Sequence, residues 1–183
     1  MSVRSIVRGS GLAGVVVGIV AAAGLATAGP ASAATDFFRI TNFDSKLVLT
    51  ADSATPGARV TQQPISQAAA DRQQWSIQTN SGTAALTYRL RAGSNLCLDL
   101  PRDVDRSQQR AGEKVVVRTC DGTTSQQWQD VNTTSSSLNL QNKLSQMKID
   151  IDNNRPLDVG AVAFQNDVSR PSQRFFRVKA ASV

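Results

Sequence analysis

The sequence predicts an all-β domain built from three copies of one unit. Three observations carry this. The tripeptide Gln73-Gln74-Trp75 returns as Gln126-Gln127-Trp128 and, with a changed ring, as Gln173-Arg174-Phe175. Those rings stand 53 and 47 residues apart, so the unit averages 50 residues. Apolar residues come in short alternating bursts such as Tyr88-Arg89-Leu90-Arg91 and Lys148-Ile149-Asp150-Ile151, separated by Asn, Asp, Ser, Gly and Pro. No segment beyond the N-terminal region holds a helical period, and only Gln67 to Gln74 suits a single helical or 3₁₀ turn.

Taken in chain order, the N-terminus reads as an export signal over residues 1–33. Arg4 and Arg8 precede an uncharged stretch, Gly11 to Gly29, and Ala31-Ser32-Ala33 is a small-x-small cleavage pattern. A membrane anchor is the alternative, because the stretch approaches spanning length. Its many Gly and Ala residues make it weakly apolar, so cleavage after Ala33 and a secreted, extracellular product with no membrane contact are expected.

Residues 34–183 then form one domain, with repeats at about 36–84, 85–135 and 136–183. Four elements recur in the same order. Phe38-Arg39-Ile40 is echoed by Tyr88-Arg89-Leu90 and Leu138-Asn139-Leu140. Lys46-Leu47-Val48-Leu49 is echoed by Leu96-Cys97-Leu98-Asp99 and Met147-Lys148-Ile149-Asp150. Pro56-Gly57, Ala111-Gly112 and Val159-Gly160 follow, and the Gln-x-aromatic element closes each unit. A unit of this size cannot bury its apolar face alone, so the three should close into one pseudo-threefold body.

Composition excludes much chemistry. The chain has no His, a single Glu (Glu113) and two Cys. Ser-His-Asp and Cys-His nucleophilic sites and His-ligated zinc cannot be built. With Arg4 and Arg8 removed, 18 basic residues face 14 acidic ones, and no run of them forms a phosphate-tracking stripe. Nucleic acid is not an expected partner. In an oxidising compartment, two cysteines with no third candidate are expected to form an intrachain disulfide.

These elements resemble the ricin B-type lectin family, a β-trefoil of three repeats each ending in Q-x-W, over residues 36 to 180. The middle repeat matches best, through Cys97-Leu98-Asp99-Leu100, Gly112, Val115, Cys120 and Gln126-Gln127-Trp128. The resemblance implies about twelve short strands, with Trp75, Trp128 and Phe175 as equivalent core residues, and an intra-repeat disulfide between Cys97 and Cys120. It also implies sugar binding by any repeat that keeps three features. These are an Asp in the C-L-D element, an aromatic platform two residues before the second Cys, and an Asn just before the Q-x-W Gln, and this sequence departs from the last two in every repeat.

Scored this way, repeat one has Leu49, Gln63 and Arg72 and should be structural only. Repeat two has Asp99, with Gln126 to buttress it, Arg118 as platform and Ser125. Repeat three has Asp150, Asn166 and Ser172, with Gln173 equivalent to Gln126. Phe164 either shares the face of Asn166 as a substitute ring or belongs to the core. Asp99 and Asp150 either accept hydrogen bonds from sugar hydroxyls or cap the adjoining turn. Asp99 is expected to be exposed, so that replacing it should spare stability.

Asp150 to Asn154 lacks the Gly and terminal Glu of a calcium loop, and the cluster of Asp99, Asp103 and Asp105 suits a solvated loop. No metal or cofactor is expected, and Asp150 with Asp152 has no groove in which to act as a catalytic pair. The expected function is a non-enzymatic, monomeric carbohydrate-binding module that binds galactose-type or xylan-type glycans weakly, through the second repeat and also the third if its site is kept. The alternative is a degenerate trefoil that recognises protein, as an inhibitor or adhesion partner.

Overall fold

The structure, a computed structural model, describes residues 35–93, 95–101, 110–152 and 156–180. The export segment and Asp103, Asp105, Asn153 and Asn154 lie outside the described residues. Each repeat contributes four short strands. They are β1 (Phe37–Asn42), β2 (Val48–Ala51), β3 (Val60–Gln63) and β4 (Trp75–Thr79), then β5 (Leu86–Leu90), β6 (Leu96–Asp99), β7 (Val116–Thr119) and β8 (Trp128–Val131). The third set is β9 (Asn139–Asn142), β10 (Lys148–Ile151), β11 (Ala163–Asn166) and β12 (Phe175–Lys179). All pairings are antiparallel.

The first and fourth strands of each repeat form a closed six-stranded barrel. Its ring runs β1-β4-β5-β8-β9 and closes through the Leu138–Phe175 bridge to β12, which pairs with β1. Closure leaves no barrel strand with an unpaired edge. The second and third strands make three hairpins, β2-β3, β6-β7 and β10-β11, that cap one end.

The hairpins interlock cyclically. Gly57 N–H donates to Val117 O and Val117 N–H returns to Ala58 O; Gly112 and Glu113 make the same pair with Gln165, and Gly160 and Ala161 with Gln62. This cycle, each repeat reaching the next, is the pseudo-threefold relation that the recurring sequence elements imply. The glycines have φ of 87°, 89° and 80°. Gly112→Ala meets no atom within 4 Å of the added Cβ, so only its left-handed backbone opposes the change. The expected loss is about 1–2 kcal/mol in urea unfolding; a loss near zero would show that the turn tolerates a side chain.

Trp75, Trp128 and Phe175 are fully buried at equivalent positions, in one core cluster with Leu49, Leu98 and Ile149. Trp75 Nε1 donates to Leu49 O at 3.2 Å and Trp128 Nε1 to Leu98 O at 3.0 Å. The register also corrects one sequence echo. Thr41 faces Val48, Arg89 faces Cys97 and Gln141 faces Lys148. Ile40 is therefore equivalent to Tyr88 and Leu140, not to Leu90. A slip of two residues leaves every side chain on the same face, so alternation alone does not reveal it.

The 3₁₀ turn anticipated within Gln67 to Gln74 is present as Ala70–Arg72. It recurs as Thr124–Gln126 and Pro171–Gln173, where no helical turn was anticipated. Each turn brings the Gln of the Q-x-aromatic element onto the hairpin of its own repeat.

Candidate functional site

The three glutamines define three equivalent sites. Gln73 Nε2 donates to Pro64 O (2.7 Å) and Thr50 Oγ1 (3.3 Å), and its Oε1 accepts from Ser66 N. Gln126 Nε2 donates to Thr119 O (2.7 Å) and Asp99 Oδ2 (2.9 Å), and its Oε1 accepts from Asp121 N. Gln173 Nε2 donates to Val168 O (2.5 Å) and Asp150 Oδ2 (3.3 Å), and its Oε1 accepts from Arg170 N. Each Gln ties the two strands of its hairpin to the turn.

The shared pattern makes Thr50, Asp99 and Asp150 equivalent. Leu49, aligned with Asp99 by sequence, is instead a core residue equivalent to Leu98. The one-residue error turns the wrong face outward.

Asp99 is fully buried, contrary to its expected exposure. Its Oδ1 accepts from Leu100 N at 2.7 Å, and Arg118 Nη1 lies 3.9 Å from Oδ2. Burial pushes its pKa up, opposed by hydrogen bonds from Gln126, Ser125 and Leu100 and by the Arg118 charge. Asp150 is equally buried. Its carboxylate accepts from Ser172 Oγ (2.5 Å), Asn166 Nδ2 (3.0 Å) and Gln173 Nε2, with Arg170 Nε at 3.9 Å.

Both acids thus face an arginine whose side chain is about one-third exposed, 31% for Arg118 and 34% for Arg170. The two arginines come from non-equivalent positions. Arg118 holds the platform position, whereas Arg170 precedes the 3₁₀ turn. Phe164 pairs directly with Asp150, is half-buried and stands outside the core cluster. It therefore shares the outer face with Asp150, and the core alternative is excluded.

The Cys97–Cys120 disulfide is formed, with a Cα–Cα separation of 5.0 Å. It pins the end of β7, which carries Arg118, to the strand that carries Asp99. Closing a loop of this length stabilises by roughly 3 kcal/mol through the unfolded chain.

Repeat one, which sequence scoring set aside, holds an open groove of about 450 Å³ lined by Thr50, Asp52, Gln63, Ser66, Arg72 and Gln73. Thr50 replaces the buried acid. Asp52, two residues on, supplies a carboxylate that is 34% exposed. Thr61 Oγ1 donates to it at 3.0 Å and Arg59 Nε at 3.3 Å. Arg72 Nη1 donates to Ala51 O (3.0 Å) and Asp52 O (2.7 Å), which fixes its guanidinium at the groove. The signal that sequence reading passed over is Thr50-Ala51-Asp52, since alternate residues share a face.

An exposed carboxylate, a fixed guanidinium and two amide side chains can exchange hydrogen bonds with a polyhydroxylated ligand. Among the described residues no group of three or more His, Cys, Asp or Glu could hold a metal ion.

A six-stranded barrel capped by three hairpins in pseudo-threefold relation is a β-trefoil. The family model of the ricin-type beta-trefoil lectin domain matches residues 36–175, and the chain belongs to that family. Among solved structures it is similar to the designed three-fold symmetric protein ThreeFoil (TM-score 0.67, 23% identity, covering 78% of this chain and 97% of that one). It is also similar to the Macrolepiota procera ricin B-like lectin in complex with lactose (TM-score 0.62, 13% identity, 80% and 97% covered). The earthworm R-type lectin C-half in complex with GalNAc gives a TM-score of 0.57 at 15% identity, with 79% and 99% covered. No curated protein matches the chain.

Proposed function

We propose that this domain is a secreted, non-catalytic module that binds carbohydrate weakly, with repeat one as its principal site. The observation that carries the choice of site is the exposed Asp52 carboxylate in an open groove, where the other two repeats bury theirs. In repeats two and three the same reading gives the outward contacts to Arg118, and to Phe164 with Arg170. Asp99, Ser125, Gln126, Asp150, Asn166 and Gln173 hold those groups in place. The lactose and GalNAc complexes of similar folds make galactose-type sugars the first ligands to test, followed by xylan-type ones.

Calorimetric titration with lactose is expected to give a dissociation constant on the order of 0.1–10 mM. Asp52→Asn should weaken binding by about tenfold or more, because hydrogen bonds to a charged group contribute about 1.5–3 kcal/mol. The melting temperature should hardly change, given the exposure of Asp52. Undiminished affinity in that variant would move the site away from repeat one. N-terminal sequencing of the exported protein tests its secretion, with Ala34 as the expected first residue.

Protein recognition is the second reading. It is favoured by three exposed aliphatic side chains, Ile65, Leu157 and Val159, each about 60% exposed. Absence of binding to any glycan at high millimolar concentration would select it.

A further inference from the structure

The repeat-one groove does not end at the 3₁₀ turn Ala70–Arg72. On the far side of that turn lies a second groove of about 470 Å³, lined by Ala54, Ala68, Ala70, Asp71, Arg91 and Ala92. The two grooves share Ala69 and Arg72 as lining residues. Each has the size of an ordinary ligand pocket, about 300–1,000 Å³. The turn is thus a saddle with a lobe on either side and an arginine on its crest.

A counterpart of the second groove stands in repeat three. There a groove of about 350 Å³ is lined by Asp44, Pro156, Leu157, Arg170, Pro171 and Ser172. Its position is equivalent, because the next repeat docks on the turn in the same way. Arg91 N–H donates to Gln74 O and Phe43 N–H to Arg174 O, each on the residue that follows the Q-x-aromatic Gln. Arg170 lines this second groove and lies 3.9 Å from Asp150 on the other side. In repeat three Asp150 is buried, so Arg170 borders one open groove, and the bipartite arrangement with an open lobe on either side belongs to repeat one.

We propose that repeat one binds a segment of a glycan chain, one sugar unit on each side of the turn, with Arg72 bonded to both. This rests on the carbohydrate reading above and specifies its ligand. Three properties select a neutral oligosaccharide. Among the lining residues Arg72 and Arg91 are matched in number by Asp52 and Asp71, with Arg91 Nε 3.1 Å from Asp71 Oδ1, and Arg59, which pairs with Asp52 from outside the groove, adds one solvated positive charge. Five of the nine residues that line the second lobe are alanines, whose methyls suit the C–H face of a pyranose and give a peptide anchor no deep pocket to fill. Arg72 uses only Nη1 on the carbonyls of Ala51 and Asp52, and a guanidinium has five N–H donors in a fixed fork.

The test compares single sugars with chains by calorimetry on the mature protein, using galactose against β-1,4-galactotriose and xylose against xylotriose. One of the trisaccharides should bind at least tenfold more tightly than its monosaccharide, well above the two- to threefold gain from repeated units alone. Ala68 is exposed, so Ala68→Arg should fold while filling the second lobe. It should abolish the chain advantage and leave monosaccharide affinity unchanged; Ala54→Arg, from the opposite wall, should do the same. Equal affinity for monomer and trimer, or a chain advantage that survives both variants, would overturn the proposal while leaving carbohydrate binding intact. Absence of binding by every one of the four sugars would overturn both.

Discussion

Trp128→Ala should destabilise the domain by about 4 kcal/mol, because the ring is completely buried and its loss leaves a large cavity. The indole also donates to Leu98 O at 3.0 Å, a bond that fastens β8 to the hairpin strand β6. In a domain of this size a loss of that magnitude lowers the melting temperature by roughly 8–16 °C. Trp128→Phe should cost less, since repeat three already uses Phe175 at the equivalent position. It keeps a six-membered ring but removes the donor and part of the buried volume, so about 2–3 kcal/mol should be lost. Urea unfolding monitored by circular dichroism measures both. A loss below about 1 kcal/mol for Trp128→Ala would mean that the three rings do not form the common core.

The second large effect is at Asp99. Removing the side chain in Asp99→Ala takes the acceptor from Leu100 N–H, one of two acceptors from Gln126 Nε2 and a facing charge from Arg118. Breaking a buried, hydrogen-bonded charge in this way costs about 3 kcal/mol. Sugar binding should respond mainly through that instability. The pH dependence has a definite sign. Burial raises the folded pKa of Asp99 above its ordinary 3.8. The native state therefore keeps the proton where the unfolded chain has lost it. Stability from this group is greatest below the ordinary value and falls as pH rises from there through the raised value. The stability difference between wild type and Asp99→Asn should accordingly shrink over that window and then level off. A difference that grows with pH would contradict the burial of the carboxylate.

The recurring Gln-x-aromatic elements made the three lobes legible, because a side chain that must fill the same core position three times leaves a fixed residue type at a fixed period. The positive-φ glycines were legible for the same reason: Gly57, Gly112 and Gly160 each sit where the hairpin interlocks with the next repeat. Register within a repeat was less so. The pattern around Leu49 is apolar on both sides, Val48 and Leu49 both being buried. Only the bonds of Trp75 to Leu49 O and Gln73 to Thr50 Oγ1 identify which residue faces the site.

By itself the sequence determined the all-β class, the threefold repetition, the aromatic core and the positions of the acids on the second and third hairpins. It also excluded histidine chemistry. These depend on residue type and spacing, which are written along the chain. Tertiary structure decided which carboxylate is open. Asp99 and Asp150 are sealed by arginines that arrive from different places in their repeats, Arg118 on β7 and Arg170 before a 3₁₀ turn. Asp52 stays partly exposed: its own partner Arg59 lies at the surface, and Arg72 bonds to backbone carbonyls instead. Solvent access of a carboxylate is a sum over neighbours brought together by folding, and residues far apart in sequence supply most of that sum.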